Sequence, residues 1–157
     1  MKHFMGIDPS LKGNAIVIID EEGKIIKEIL ISTHKECYIN DDQRLLDIMD
    51  EMYDYLLWMN EKIYVEGLGF TAKSTTLFER QGLLFLITTT LFKLNKRYKI
   101  IPPTTLKKRT TTDGHADKKL MMRVAKCRWG IDFKDDNICD AYCLARMALE
   151  DYKNEQT

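Results

Sequence analysis

Two short apolar runs of β character, Phe4-Met5-Gly6-Ile7-Asp8 and Lys62-Ile63-Tyr64-Val65-Glu66, each end on a carboxylate, and this restricts the fold more than any other feature of the 157-residue chain. A carboxylate at the mouth of a buried strand has to be paired, hydrogen-bonded or bound to a cation, because leaving it desolvated and alone is costly. For Asp8, which precedes Pro9-Ser10, the alternative is a local turn between its side chain and the backbone near Ser10. For Glu66 it is a surface acid at a strand end. A helical crossover between the two strands favours parallel pairing. Both acids would then open at the carboxyl edge of one sheet, where α/β folds place their ligands.

The rest of the chain supplies that sheet and its covering helices. After a polar turn from Leu11 to Asn14, Ala15-Ile16-Val17-Ile18-Ile19 returns as a second strand, and Glu21-Glu22-Gly23 turns the chain into a third, Lys24 to Ile31. Asp41 or Asp42 caps a helix running to about Met59, with Leu45, Ile48, Met49, Met52, Leu56 and Met59 on one stripe. The segment from Thr75 to Lys96 reads as a helix apolar on more than one side, which implies burial on several faces or a face shared in a homodimer. Tyr98 to Ile101 is a short strand stopped by Pro102-Pro103. From Thr104 to Ala116 the chain reads as a polar, basic loop leading into a helix over 116–128. Asp135 or Asp136 caps a last helix from Asn137 to about Tyr152, with Ile138, Ala141, Leu144, Ala145 and Ala148 toward the core. The expected fold is α/β, one domain with a central mixed five-stranded sheet flanked by helices.

The net charge is zero, but it is unevenly distributed. From Glu36 to Glu61 eight acids face Arg44 alone, whereas from Lys96 to Arg128 eleven Lys or Arg face only Asp113 and Asp117. The acidic stretch reads as a solvated helix face. The basic stretch has the density of a phosphate-backbone binder, with a solvated surface as the alternative. Lys107, Lys108, Arg109, Lys118 and Lys119 gather around one loop and one helix start, as a phosphate clamp requires. Cys37, Cys127, Cys139 and Cys143 form no CxxC pair and are expected to be buried free thiols rather than zinc ligands. No apolar run approaches a membrane span and no export signal is visible, so a cytoplasmic protein with no membrane partner is expected.

The final helix carries two further acids, Asp136 and Asp140, at i and i+4 on one face. For Asp136 helix capping is the competing role. For Asp140, an acid beside core positions, a partner is needed. Asp8, Glu66, Asp136 and Asp140 together are the pieces of a two-metal site. Converging acids repel, and oxygen-only ligands point to Mg²⁺, with Mn²⁺ as a substitute, rather than zinc. Two such ions about 4 Å apart can activate a water and stabilise a leaving oxygen in phosphoryl displacement. With the basic patch, this predicts a nuclease that needs no small-molecule cofactor.

Gly6-Ile7-Asp8-Pro9-Ser10, Tyr64-Val65-Glu66, Pro103-Thr104-Thr105-Leu106-Lys107-Lys108 with Gly114-His115-Ala116-Asp117-Lys118, and Asp140-Ala141 resemble the RuvC family of Holliday junction resolvases in type, order and spacing. The resemblance covers nearly the whole chain. It implies an RNase H-like fold, a homodimer, and Mg²⁺-dependent paired nicking across a four-way DNA junction. It also implies that Asp8, Glu66 and Asp140 are metal ligands, that Lys107 and Lys118 face the scissile phosphate, and that Phe70 stacks on a base near the crossover. Two positions depart from the pattern. The family's usual third acid falls at Asn137, beside Asp136, and the aromatic after Glu66 comes one residue late, at Phe70. As a short chain with a basic stretch and without an obvious motor-binding element, it resembles a phage-type relative more than a cellular one, which implies action in a bacterial or phage-infected cell. The competing functions are a branched-DNA binding module without catalysis and an RNase H-like nuclease acting on RNA:DNA hybrid.

Overall fold

The computed structural model describes residues 1–69 and 76–157. Five strands form one sheet: β1 (Phe4–Asp8), β2 (Asn14–Ile19), β3 (Ile25–Ile31), β4 (Ile63–Glu66) and β5 (Tyr98–Ile101), in the order β3-β2-β1-β4-β5. The first three are antiparallel neighbours, and β4 and β5 join parallel to β1, so the sheet is mixed, as the patterning predicts. Five α-helices flank it: α1 (Asp41–Trp58), α2 (Leu77–Lys93), α3 (Pro103–Thr111), α4 (Lys118–Trp129) and α5 (Asp136–Glu155). Among the described residues no helix is long and apolar enough to cross a membrane.

Strand alternation divides the core in two. Met5, Ile7, Ile16, Ile18, Ile63 and Val65 point to one side, where the α1 stripe Leu45, Ile48, Met52 and Leu56 and the α2 residues Leu83, Ile87 and Leu91 meet them. Phe4, Ala15, Val17, Ile19 and Tyr64 point to the other side, against Ala141, Leu144, Ala145 and Ala148 of α5. Gly6 shares this second face. A methyl group on it would overlap the Ala141 carbonyl and lie 2.6 Å from the Ala145 nitrogen, so α5 rests directly on the β1 backbone. Only glycine permits that approach.

The structure corrects several local expectations. The α1 cap is Asn40, whose Oδ1 accepts from Gln43 N at 2.9 Å, rather than Asp41 or Asp42. The basic stretch expected to be a loop contains α3. Its threonines have poor helix propensity, but Pro103 suits the first turn and Leu106 and Thr110, four apart, bury one side. The helix ends on Thr112 in the left-handed region (φ 71°) without the glycine that would have marked a stop. Cys139 and Cys143 are buried free thiols, but Cys37 and Cys127 are exposed.

Candidate active site

Residues 4, 6 and 8 share a face of β1, and residues 64 and 66 share the same face of β4. Ile7 pairs with Val65, so Asp8 and Glu66 end adjacent parallel strands side by side, under the first turns of α5. Their carboxyls are close enough for each to alter the other's proton affinity. Asp8 is 6% exposed. Burial, then repulsion from Glu66, holds its carboxyl well above the ordinary range.

Asp140 is delivered to the same place by α5, which the absence of a side chain at Gly6 seats close to β1. Burial first, then the charges of Asp8 and Asp136, push Asp140 up to about 7, against the opposing pull of Lys118 and Lys107. Glu66 is pushed up to about 7 by burial, with the hydrogen bond from Asp8 opposing, Asp140 adding repulsion, and Arg80 and Lys107 offsetting it. Three carboxyls from two strands and one helix are thus close enough to perturb one another, and lysines from α3 and α4 act on them.

These residues open into a cleft of about 460 Å³ at the carboxyl edge of the sheet. Its walls include Asp8, Glu66, Asp140, Asn137, Lys118, Arg80, Lys12, Lys35 and Arg44. A larger hollow of about 660 Å³ lies at the opposite edge, around Lys62, Tyr64, Arg97 and Lys99. There the acids Asp151 and Glu155 are already paired with Arg109 and Lys62, and none of Asp8, Glu66, Asp136 or Asp140 lines it.

The remaining expected site residues are placed as follows. Asp136 is the first residue of α5 and ion-pairs with Lys118; it does not line the cleft, but its charge raises both Asp8 and Asp140. The capping role falls to Asp135, which accepts from Ile138 N at 3.1 Å. Lys108 is exposed on α3. Lys119 lines a separate hollow with Asp113, His115 and Arg123. Arg109 turns toward α5, pairing with Asp151 at 2.7 Å and Glu150 at 3.2 Å. Phe70 lies outside the described residues. Arg80, Arg44, Lys12 and Lys35 were not singled out by motif, and the one signal for Arg44 was its isolation among eight acids.

Among the described residues no three His, Cys, Asp or Glu side chains are placed to enclose a metal ion together. Asp136 is drawn to Lys118. The chemistry of the donor set still suits a hard divalent cation. The candidate donors are all carboxylate oxygens, and their charges raise one another's proton affinity, a repulsion that a cation would relieve.

No family model and no curated protein matches this sequence. Among solved structures, the chain is similar to Thermus thermophilus RuvC, with a TM-score of 0.78 at 16% identity over 98% of this chain and 96% of that one. It is similar to the same protein in complex with a Holliday junction substrate, with a TM-score of 0.79 at 16% identity over 99% and 96% of the two chains. At the level of fold, the resemblance seen in the motifs is therefore borne out: the chain has the RNase H-like architecture of RuvC.

Proposed function

We propose that this chain is a structure-selective endodeoxyribonuclease that resolves four-way DNA junctions by paired, divalent-metal-dependent nicking of opposing strands, working as a homodimer of single-domain subunits. The observation that carries this reading is the convergence of Asp8, Glu66 and Asp140 at one sheet edge, with Lys107 and Lys118 acting on the same carboxyls. Those three acids, with Asp136 as a fourth, would hold Mg²⁺, and Mn²⁺ could replace it. Bound there, the ions would supply an activated water and charge stabilisation for a departing oxygen. The chain's own part is to orient the ligand carboxylates on rigid elements and to keep their charges close together. Lys118 and Lys107 offset the charge of a phosphate brought against those acids. Lys108, Lys119 and Arg109 extend the positive surface over α3 and α4, and Phe70 is assigned to stacking on a base near the crossover.

One assay separates this function from a binding-only module and from a nuclease of RNA:DNA hybrid. Labelled four-way junction, linear duplex and hybrid are each incubated with the protein, with and without Mg²⁺. Cleavage of the junction alone, and only with the ion, supports the reading; cleavage of the hybrid, or of nothing, removes it. Asp8→Asn, Glu66→Gln and Asp140→Asn should each abolish cleavage and leave junction binding intact or tighter, because less negative charge then faces the phosphates. Wild-type turnover in any of them would remove that residue from the site.

A further inference from the structure

The cleft is also lined by a buried cation, Arg44, that no acid among the described residues neutralises. Arg44, in the first turns of α1, is 5% exposed. Its Nε donates to Thr33 Oγ1 at 2.7 Å, and its Nη2 donates to the carbonyls of Leu11 at 2.6 Å and Thr33 at 3.3 Å. All three acceptors are neutral. Among the described residues no carboxylate lies within ion-pair distance of the guanidinium, although α1 is rich in acids. Among the described residues Nη1 has no acceptor. A guanidinium taken out of water without a counterion is costly, and its neutral contacts fix its plane without meeting its charge. Such a residue costs stability unless an anion arrives from outside.

The surroundings of Arg44 indicate which anion. It lines the cleft that contains Asp8, Glu66 and Asp140, and also a smaller adjoining hollow walled by Lys12, Thr33, His34, Lys35 and Glu36. Lys12 and Lys35 border both spaces. Lys12 has no carboxylate partner among the described residues, and Lys35 has only an exposed pair with Asp41 at 3.2 Å. A rigid, planar donor flanked by two flexible ammonium groups is a good receptor for a phosphate. This group shares one cleft with the carboxylates.

We propose that Arg44, with Lys12 and Lys35, forms a subsite for a backbone phosphate of the bound DNA strand, next to the phosphate held at the carboxylates. This rests on reading the cleft as the site of a junction nuclease. Arg44 and the carboxylates then grip one strand at two successive points, one for chemistry and one for register. Thr33 and the Leu11 carbonyl are positioning groups that hold the guanidinium plane.

The test is equilibrium binding of a fluorescent four-way junction to the full chain in EDTA, over a series of salt concentrations. Wild type is compared with Arg44→Gln, Arg44→Lys, Lys12→Ala and Lys35→Ala. For Arg44→Gln, loss of one phosphate contact should lower the slope of log affinity against log salt by about one and weaken binding about tenfold at moderate salt. Arg44→Lys should keep the slope but recover only part of the affinity, since an ammonium cannot reproduce the fixed fork. Lys12→Ala and Lys35→Ala, both surface changes that leave the fold alone, should each lower the slope in part. If Arg44→Gln fails to fold, these two decide the matter, and an unchanged slope in both overturns the subsite. Normal wild-type junction binding with unchanged slopes in all folded variants overturns the subsite and leaves the nuclease reading standing. If wild type does not bind the junction at all, both are overturned.

Discussion

Asp8 and Glu66 end two adjacent parallel strands, and burial together with the charge of a neighbouring acid raises the proton affinity of each above that of an isolated residue. Asp140 stands over this pair with its own proton affinity raised. The arrangement ties stability to pH.

The sign follows from which state binds more protons. Glu66 and Asp140 move from ordinary values of 4.5 and 3.8 up to about 7 in the folded chain, and Asp8 moves in the same direction. Between about pH 4 and pH 7 the unfolded chain therefore binds fewer protons than the folded one, and stability falls as pH rises through that window. In EDTA the melting temperature should decline from pH 5 to pH 8 at the expense of the folded state. Asp140→Asn should flatten the decline and stabilise the metal-free protein at pH 8 by on the order of 2 kcal/mol. Mg²⁺ should raise the wild-type melting temperature at pH 8 and raise that of Asp140→Asn far less. A flat wild-type profile in EDTA would mean that neither burial nor mutual repulsion raises the proton affinity of these acids in the folded chain.

Gly6 is the contact that brings Asp140 to Asp8. Gly6→Ala forces a methyl group into the Ala141 carbonyl, and neither backbone can yield without lifting α5 from the sheet. The cost should be about 3 kcal/mol, the upper part of the usual overpacking range. A denaturant titration should show a lower midpoint with an unchanged slope. A midpoint within error of wild type would show that α5 has room to shift.

β1 and β4 were legible in the sequence as short, continuous apolar runs that each end on a carboxylate, Asp8 and Glu66, as strands buried on both faces do. Strand alternation puts both acids on the face that α5 covers. Asp140 was legible as an acid out of place among Ile138, Ala141 and Leu144. What could not be read was any relationship carried by tertiary contact alone. The burial of Arg44 depends on the Leu11 carbonyl and on Thr33, 33 and 11 residues away, and no local pattern encodes it. The helix α3 was hidden for a different reason: β-branched threonines lower local propensity, and burial of Leu106 and Thr110 overrides it.

Phe78, Phe85 and Phe92 lie seven residues apart along α2 and are 84%, 70% and 74% exposed. Seven residues are two turns, so the three rings form one line on the side of α2 turned away from Leu83, Ile87 and Leu91. An aromatic line of this kind on the proposed homodimer would be covered by its counterpart across a two-fold axis. Phe85→Glu combined with Phe92→Glu should give a monomer by sedimentation at micromolar concentration where wild type gives a dimer. Stability should change little, since neither ring is in the core. Junctions should then receive unpaired nicks. A dimer that persists in the double variant would place the interface elsewhere.

Asp136 and Asn137 compete to complete the carboxylate group, and their environments differ. Asp135 takes the capping role, so Asp136 is not needed to start α5. Asp136 pairs instead with Lys118, and its charge reaches Asp8 and Asp140. Asn137 lines the cleft directly but brings only a neutral amide. A hard divalent ion gains more from a carboxylate, and Lys118 is 71% exposed, so exchanging that lysine for a cation costs little. Asp136→Asn should therefore lower Mg²⁺-dependent junction cleavage by several orders of magnitude, and raising the Mg²⁺ concentration should recover part of the loss. Its melting temperature should stay near wild type, because an exposed ion pair contributes less than about 1 kcal/mol. Asn137→Ala should lose far less activity. The reverse result, normal cleavage by Asp136→Asn and none by Asn137→Ala, would mean that the amide closes the site and that Asp136 serves only to hold Lys118 beside it.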